Sequence, residues 1–535
     1  MWLTLLSFVL VMIFVSWLGN RLMGTENNTT RDGYFLGGRS LTGIVIAGSL
    51  IMTNISTEHL VGMNASAYKN GALVITWEVT SAIALVLAAL FFAPSYLKLG
   101  LTTIPELLEK RFDARTRSWV DGLLIVSFTL TLLPIVLYTG AINIEHLFEL
   151  SNLLHVSQKT GIWITVIITG TIGAIYAIFG GLKMVAITDT LFGAGLIIGG
   201  LAIPLLALSQ LGDGNMVDGW NIVWSGSREK FNVISSEPSV GVGARDAILP
   251  FSTLFTGMII NQLYFWAMHQ SIVQRVLGAA SLKEAQKGLL YTGILKLLMP
   301  LIIILPGIIA FQYFGNLYAD NPDSVYPALV KKVLPTWATG FFIAVVAGAV
   351  LSTFNSGLNS AATLFSLGIY QKTIKPDATA PEIVRIGKTT SIVLAVCSIG
   401  AAPFVANAPA GLYQLLQQLN GIFFIPMATL ILAALFMPWI SSLAAKVGLI
   451  FGLLFYILLQ FVFKVDLHFV HIWGLEFVIN IALMTLVSRV YKNKNTFKIK
   501  DEGFVAMAAW KYALPLSIIL VLLTLLVYLT LGHIS

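Results

Sequence analysis

The sequence is poor in charge and cysteine, and it carries none of the common catalytic motifs. Charged residues make up 11% of its 535 residues, compared with about 25% in a typical soluble protein. This composition excludes a cytosolic enzyme and a nucleic-acid-binding module. Cys397 is the single cysteine, so the chain cannot form an internal disulfide. The sequence lacks a Walker-type phosphate loop, a His-Glu-x-x-His zinc motif and a Gly-x-Ser-x-Gly elbow, so we expect neither catalysis nor an organic cofactor.

Hydrophobic residues, in contrast, make up 57% of the chain. Runs of roughly 20 apolar residues recur along nearly its whole length, and each is long enough to cross the hydrocarbon core of a membrane as a helix. We therefore predict an all-α polytopic membrane protein with a single transmembrane domain over residues 1–535. Fourteen spans are expected, at 2–20, 42–67, 72–97, 119–145, 160–179, 184–210, 247–274, 288–316, 335–370, 389–407, 411–437, 440–463, 467–488 and 512–532.

The basic residues predict the orientation of these spans. If the N-terminus lies outside, 23 Lys and Arg residues fall in cytoplasmic loops and 8 in external loops. This bias follows the positive-inside rule, and it accounts for the formal net charge of +7 without an anionic partner. We expect a multi-pass protein of the plasma (inner) membrane, in contact with lipid, with both termini outside.

A few charged residues fall within the expected spans, where burying a charge is costly. They are Glu58, Glu78, Asp189, Lys296 and Glu476. A charged group at membrane depth faces a cavity, a partner or a cation, so the first four are candidates for function. Glu476 has no polar neighbours in the sequence, and we expect it to have a structural role or to lie at the end of a helix. Lys296 has a second interpretation, because it lies about two turns into its span and its ammonium group could extend to the nearer interface.

Two stretches of polar residues predict broken helices. The first, 48–63, has six polar side chains in the seven residues 53–59, too many for the narrow polar stripe of a continuous helix. The second, 257–270, places amides and aromatic rings at mid-span, a combination that suits the hydroxyls and apolar faces of a sugar ring. The alternatives are a polar stripe packed against neighbouring helices for the first stretch and an aromatic belt at the membrane surface for the second.

The two stretches lie in the second and seventh expected spans, five spans apart. Two inverted five-helix repeats with a binding site at their interface would produce this spacing. We therefore predict a first repeat at 42–210 and a second at 247–437. One extra span (2–20) precedes them, and further spans (440–532) follow.

A third polar stretch, 352–360, interrupts the ninth span. The adjacent hydroxyls of Ser352 and Thr353, with nearby carbonyls, offer hard oxygen ligands that suit Na⁺ better than a transition metal. The same small residues also suit a packing seam between helices, and composition does not separate the two interpretations. Because no motif for phosphate hydrolysis or catalysis is present, secondary transport is the function that remains.

Several short motifs are distinctive in combination. They are Gly33-Tyr-Phe-Leu-Gly-Gly-Arg-Ser40, Asn54-Ile-Ser-Thr-Glu58, Thr103-Ile-Pro-Glu-Leu-Leu-Glu-Lys-Arg111, Gly180-Gly-Leu182 with Asp189, Gln274-Arg275 and Glu284-Ala-Gln-Lys-Gly288. With these motifs the chain resembles the sodium/solute symporter family, and within it the bacterial sodium/sugar symporters of the sodium/galactose type. The resemblance runs from the first cytoplasmic loop to at least the twelfth span.

The resemblance implies a LeuT-like fold with discontinuous helices, a solute site and a Na⁺ site. The solute site it implies consists of Asn54, His59, Glu78, Ser81, Gln262, Lys296 and Gln417. The gate it implies consists of Met63, Phe265 and Trp266. The Na⁺ ligands it implies are the carbonyls of Met52, Ile55 and Ala349 and the hydroxyls of Ser352 and Thr353, with Asp189 near the cytoplasmic exit of the ion. Two residues depart from the galactose pattern: His59 stands where Gln is found in the bacterial proteins, and Phe265 where the gate is usually Tyr.

We therefore expect a sodium-coupled secondary active symporter that imports a monosaccharide or related polyhydroxyl solute by alternating access. One alternative is a sodium symporter of the same fold for an amino acid, sialic acid or another organic acid, and another is a solute sensor that does not transport. An anionic solute would need an uncompensated basic side chain. The one basic candidate is Lys296, with Glu58 and Glu78 nearby, which favours a neutral solute.

Overall fold

A computed structural model describes residues 2–23, 30–235, 237, 240–243, 245, 247–407, 412–493 and 497–532. Residue 411, the expected start of the eleventh span, and Lys494, one of the basic residues expected in the cytoplasm, lie outside the described residues. Every regular element in the described residues is helical, apart from isolated bridges such as the one between Leu41 and Ala279.

Among the described residues, the first half of the chain has twelve α-helices. They are α1 (Trp2–Met23), α2 (Arg31–Leu36), α3 (Gly43–Asn54), α4 (Asn64–Asn70), α5 (Thr76–Leu87), α6 (Ala93–Lys98), α7 (Ile104–Arg111), α8 (Ala114–Ser127), α9 (Leu133–Phe148), α10 (Leu150–Leu154), α11 (Gln158–Leu211) and α12 (Met216–Gly226). Helix α11 is two membrane-crossing helices joined at Gly181, whose φ of 60° lies in the region that glycine adopts readily.

The described part of the second half has twelve more α-helices. They are α13 (Gly257–Ala267), α14 (Gln270–Leu277), α15 (Leu282–Leu298), α16 (Pro300–Ile303), α17 (Leu305–Phe314), α18 (Val325–Val333), α19 (Thr336–Thr363), α20 (Ala380–Ala401), α21 (Leu412–Phe436), α22 (Ser442–Ile457), α23 (Phe469–Val490) and α24 (Ala513–Leu531). Segments of π-helix lie at Glu58–Met63, Ala88–Phe92, Phe128–Leu132, Leu364–Ile374 and Leu458–Val462. Short 3₁₀ helices lie at Gly37–Arg39, Gly71–Ile75, Arg228–Phe231, Phe251–Phe255, Pro322–Ser324 and Ala402–Asn407.

Eleven helical segments of the described chain are long and apolar enough to cross a membrane, and the bent pair α15 and α16–α17 makes a twelfth. The protein is therefore an all-helical, multi-pass membrane protein. The two expected spans missing from this count, 42–67 and 247–274, are those with predicted breaks, and their helices α3 and α13 have 12 and 11 residues. The total of fourteen spans and the inverted repeat stay predictions.

The first predicted break is present. Helix α3 ends at Asn54, Ile55 is extended with φ −84° and ψ 100°, and a π-helical segment begins at Glu58. Thr, Asn and Ser side chains compete with the backbone for hydrogen bonds, which favours a helix end at such a stretch. The last carbonyls of α3 lack partners in their own helix, and they are available to a ligand.

The second predicted break is also present. Helix α13 ends at Ala267 and α14 begins at Gln270, with Met268 at φ −134° between them. His269 therefore lies at the break, where it is buried.

The expected interruption of the ninth span is wrong. Helix α19 runs without a break from Thr336 to Thr363. Its hydroxyls bond back to its own carbonyls, Ser356 Oγ to Ser352 O at 2.6 Å and Thr363 Oγ1 to Asn359 O at 2.6 Å, and this pattern leaves the helical backbone intact. The helix packs against α1, α3, α9 and α11, so its small polar residues also form a packing seam.

Loops expected on the cytoplasmic side meet at one end of the helical bundle. Lys110 Nζ lies 2.6 Å from Glu502 Oε1, and Lys446 Nζ lies 2.6 Å from Asp113 Oδ2. At the opposite end, the Thr4 hydroxyl donates to Thr336 O at 3.2 Å. There too, Val233 N donates to Leu531 O at 3.2 Å. The start of α1 and the end of α24 therefore lie at the same end.

Candidate functional site

A small cavity, with a free volume of about 70 Å³, lies beside the break that follows α3. Residues of α3, the π-helical segment Glu58–Met63, α5, α13, α15 and α21 contribute to its wall. All seven residues expected to bind the solute line it, namely Asn54, His59, Glu78, Ser81, Gln262, Lys296 and Gln417. The structure thus brings them together from distant parts of the chain, and their role in binding stays a prediction.

Lys296 is held on one wall of the cavity by two partners. Its ammonium group forms a salt bridge with Glu78, both side chains being 1% exposed, and donates to Asn54 Oδ1 at 2.8 Å. It also lies 5.5 Å from the centre of the Trp266 ring. The lysine therefore does not extend to the membrane surface, because its charge is neutralised inside the protein.

Gln262 and Ser81 form a second polar group in the wall. The Ser81 hydroxyl donates to Gln262 Oε1 at 2.9 Å, and Gln262 Nε2 donates to the Trp77 carbonyl at 2.8 Å. These bonds fix the orientation of the amide at the short helix α13. Asn261, the residue before it, also lines the cavity and leaves its buried Oδ1 without a hydrogen-bond partner among the described residues.

Glu58, His59 and Tyr413 form the outer wall. His59 Nδ1 lies 3.6 Å from Glu58 Oε1, and the His59 ring packs edge-on against Tyr413 with centroids 5.3 Å apart. Tyr413 Oη accepts from Gln417 Nε2 at 2.9 Å. A wider vestibule lies beyond this wall, and Glu58 and Tyr413 line both spaces.

Aromatic side chains close the opposite side of the cavity. Phe265 stacks on His269 with centroids 5.6 Å apart and packs edge-on against Trp266 at 5.1 Å, and Phe424 lies against His269 at 5.4 Å. Phe265 and Trp266, expected in the gate, therefore belong to this barrier. Met63, the third expected gate residue, is buried but lines neither the cavity nor the vestibule among the described residues.

Two of the residues expected to bind Na⁺, Met52 and Thr353, are in contact where α3 lies against α19. The Thr353 hydroxyl donates to Thr53 O at 3.2 Å and to Met52 O at 3.4 Å, so it already faces the free carbonyls of α3. Ser352 is buried, and its hydroxyl lies beside the Asp189 carboxylate. Carbonyl and hydroxyl oxygens that face one another at the end of a helix have the chemistry that a hard monovalent cation requires.

Arg275 connects this place to Asp189. The Asp189 carboxylate accepts from Ser49 Oγ at 2.6 Å and from Arg275 Nη2 at 3.3 Å. Arg275 also donates to the hydroxyl of Ser356, which lies 3.1 Å from Thr53 Oγ1. The side chains of Arg275 and Ser356 thus connect Asp189 to Thr53 near the end of α3. Asp189 is buried and paired with Arg275.

A model of the sodium:solute symporter family matches residues 34–452 of this chain. The chain belongs to this family. Members of the family are transporters and not enzymes.

The sequences of related proteins align with this symporter over most of the chain. The uncharacterized symporter YidK of Escherichia coli is 42% identical over 95% of this chain and 87% of its own length. The sodium/glucose cotransporter of Vibrio parahaemolyticus is 29% identical over 85% of this chain and 86% of its own. The human sodium/myo-inositol cotransporter is 30% identical over 81% of this chain and 62% of its own.

Solved structures share the fold of this symporter. A Na⁺-coupled sialic acid symporter in a substrate-bound outward-open state gives a TM-score of 0.78 at 19% identity, over 92% of this chain and 99% of its own. The nucleobase-cation-symport-1 family transporter MHP1, in a closed conformation, gives 0.51 at 15% identity, over 87% of this chain and 96% of its own. At these identities the likeness establishes the fold alone.

Tyr413 and His269 were not expected in the site from the sequence, and Glu58 was a candidate for function without an assigned place in it. Tyr413 lies one turn before Gln417 on α21, which is the one local signal that could have indicated it. Glu58 and His269 could be recognised in the sequence as polar residues at the two helix breaks. The position of Glu58 between the cavity and the vestibule, and that of His269 in the aromatic barrier, depend on packing between distant segments.

Proposed function

We propose that this symporter couples the inward movement of Na⁺ to the uptake of a neutral polyhydroxyl solute, a monosaccharide or a related polyol. The observation that carries the proposal is the pairing of Lys296 with Glu78 and Asn54 on the cavity wall. A lysine that is neutralised in this way offers a hydrogen-bond donor without a net charge. Together with the amides of Gln262 and Gln417 it would bind several hydroxyls at once.

Aromatic side chains supply the other half of such a site. Trp77 and Tyr413 pack edge-on with centroids 6.1 Å apart, and Phe265 and Trp266 line the inner side. A sugar or cyclic polyol has apolar faces that stack on aromatic rings and hydroxyls that reach the polar groups between them. Unmatched polar groups in a closed cavity are costly, so a solute without hydroxyls would bind poorly.

Na⁺ would bind between α3 and α19, to the carbonyls of Met52, Ile55 and Ala349 and the hydroxyls of Ser352 and Thr353. Support comes from the contact of Thr353 with the end of α3 and from the burial of the neighbouring Ser352 on α19. The bound ion would hold α3 against α19 and so shape the adjoining solute site. Asp189 would then lie on the path by which Na⁺ leaves.

Alternating access would use the two walls of the cavity. The vestibule reaches the cavity at Glu58 and Tyr413, while Phe265, His269 and Phe424 block the other side. The charge bias of the loops, which follows the positive-inside rule, places the loops of Lys69 and Lys159 outside. These two lysines line the vestibule, so the vestibule would be external. Both chain ends would then also be external, in the plasma (inner) membrane.

The test is uptake by purified protein in liposomes. Labelled sugars, myo-inositol, sugar acids and proline would be supplied with an inward Na⁺ gradient, and the same gradient of K⁺ is the control. We expect Na⁺-dependent accumulation of a neutral sugar or polyol. Accumulation of proline or an acid alone would contradict the solute assignment, and binding without accumulation would indicate a sensor.

A further inference from the structure

The formal charges of the side chains that line the cavity do not sum to zero. Among the described lining residues, those with a formal charge at neutral pH are Glu58, Glu78 and Lys296. Glu78 and Lys296 form a buried salt bridge, and the nearby Asp189 and Arg275 also pair with each other. Glu58 has no Lys or Arg partner among the salt bridges of the described chain, so one negative charge is left over.

Among the described residues, no uncharged hydrogen-bond donor occupies both carboxylate oxygens of Glu58. Its Oε1 lies 3.6 Å from His59 Nδ1, beyond a good hydrogen bond, and its Oε2 is buried with no partner among the described residues. His59 Nδ1 is likewise without a hydrogen-bond partner there. The side chains of Glu58 and His59 are 3% and 10% exposed, so both present unsatisfied polar atoms at the cavity wall.

The position of Glu58 places it on the route of the solute. It is the first residue of the π-helical segment after the break in α3, and with Tyr413 it lines both the vestibule and the cavity. A solute that moves from the vestibule to Lys296 passes this carboxylate. Its oxygens can accept hydrogen bonds from hydroxyls, whereas a carboxylate on the solute would meet a like charge.

We propose that Glu58 is a specificity-determining residue that excludes anionic solutes from the cavity. The inference rests on the proposed function and adds to it: the site would take neutral polyhydroxyl compounds and reject sugar acids of the same shape. Exclusion by a like charge is one of the two ways in which proteins obtain specificity. It is strong where both charges lie in a poorly hydrated space.

The test compares solutes that differ only in charge. D-Galactose with D-galacturonate, and D-glucose with D-glucuronate, exchange a primary alcohol for a carboxylate on the same ring. The readout is the ratio of Na⁺-dependent initial uptake rates, acid over neutral sugar, in liposomes. We expect wild type to favour the neutral sugars and Glu58→Gln to raise the ratio about 10- to 100-fold, as expected for the loss of one like charge a few ångströms away.

Two control variants define the effect. Glu58→Asp retains the charge and should retain the exclusion. Glu476→Gln changes another fully buried carboxylate without a hydrogen-bond partner in the described residues, one that lines neither the cavity nor the vestibule, and it should leave the ratio unchanged. A second readout, the thermal stabilisation of detergent-purified Glu58→Gln by each compound in NaCl, reports binding if this variant transports slowly.

The possible results separate the two proposals. Equal ratios for wild type and Glu58→Gln in both readouts would contradict the role of Glu58, as would uptake of an acid by wild type at the rate of its neutral partner. Absence of uptake of any sugar, neutral or acidic, by wild type would contradict the proposed function and the exclusion with it.

Discussion

Lys296 Nζ lies 2.8 Å from Asn54 Oδ1, so the lysine of α15 contacts the last residue of α3 immediately before the helix break. The same ammonium group is paired with Glu78 of α5. Three helices therefore meet at one charged atom on the cavity wall. A change in any of the three residues is expected to affect both the solute site and the packing of the bundle.

Removal of one member of the buried pair should cost more than removal of both. Lys296→Met leaves Glu78 as an unpaired buried charge, and we expect a loss of about 3–5 kcal/mol in stability together with loss of uptake. The double variant Lys296→Met with Glu78→Gln should recover most of the stability and none of the uptake. Thermal unfolding and liposome uptake of the three proteins check this, and uptake restored in the double variant would argue against a role in binding.

The hydroxyls of α19 provide a test of the Na⁺ site. Replacement of Ser352 and Thr353 by Ala should abolish Na⁺ dependence or raise the half-saturating Na⁺ concentration at least about 10-fold, because two oxygen ligands are lost. Thr339→Ala is the matched control, since Thr339 is half-buried near the start of the same helix and bonds back to Pro335 O. Unchanged Na⁺-driven uptake in the double variant would place the ion elsewhere.

Tyr413 should affect how tightly the solute is bound where the cavity meets the vestibule. Tyr413→Phe loses the hydrogen bond with Gln417, and we expect the half-saturating solute concentration to rise about 2- to 10-fold. Tyr413→Ala also loses the ring contacts with His59 and Trp77 and should raise it further. Tyr456→Phe, which removes a buried tyrosine hydroxyl bonded to Gln418 O, is the control; an equal effect there would show that only packing is measured.

Asp113 predicts a pH-dependent contribution to stability. Burial raises the pKa of Asp113, but hydrogen bonds from Lys446 and Thr116 more than offset this, so the pKa lies below its ordinary value of 3.8. A group whose pKa is lower in the folded state stabilises the fold above its ordinary pKa and loses that effect as the pH falls through the lowered value.

Asp113 also caps α8 by accepting from Thr116 N at 2.8 Å. Asp113→Ala should therefore lose about 0.5–2 kcal/mol at neutral pH, and the difference from wild type should shrink in strong acid. Asp113→Asn keeps a capping oxygen and removes the ion pair, so its loss should be smaller. Thermal unfolding across pH checks both, and a loss independent of pH would exclude the charge as its cause.

The sequence contained most of the information needed to assemble the solute site. The break after Asn54 could be predicted because six polar residues within seven positions cannot share one narrow stripe, and the break after Ala267 because amides and aromatic rings lie at mid-span. The seven residues transferred by resemblance all line one cavity. Local chemistry was sufficient where the signal was a cluster along the chain.

Relationships between distant side chains could not be predicted in the same way. The pairing of Lys296 with Glu78 joins residues 218 positions apart, and that of Arg275 with Asp189 joins residues 86 apart. The continuity of α19 depends on hydroxyl rotamers that bond to the preceding turn, which composition does not reveal. Tyr413 is not part of a polar cluster along the chain, and its position between the cavity and the vestibule follows from how α21 packs against the broken helix.

The leftover charge of Glu58 has a consequence for the response of the carrier to membrane potential. On the proposed assignments of Glu58 and the Na⁺ site, the cavity without Na⁺ would hold one net negative charge, and one bound Na⁺ would cancel it. An inside-negative potential would then act mainly on the empty carrier, pushing its negative site towards the external side, where the next Na⁺ binds. Up to about 2.3 kcal/mol per 100 mV is available if the charge crosses the full field. The loaded carrier would reorient with little effect of voltage, so voltage would accelerate the return step of the cycle.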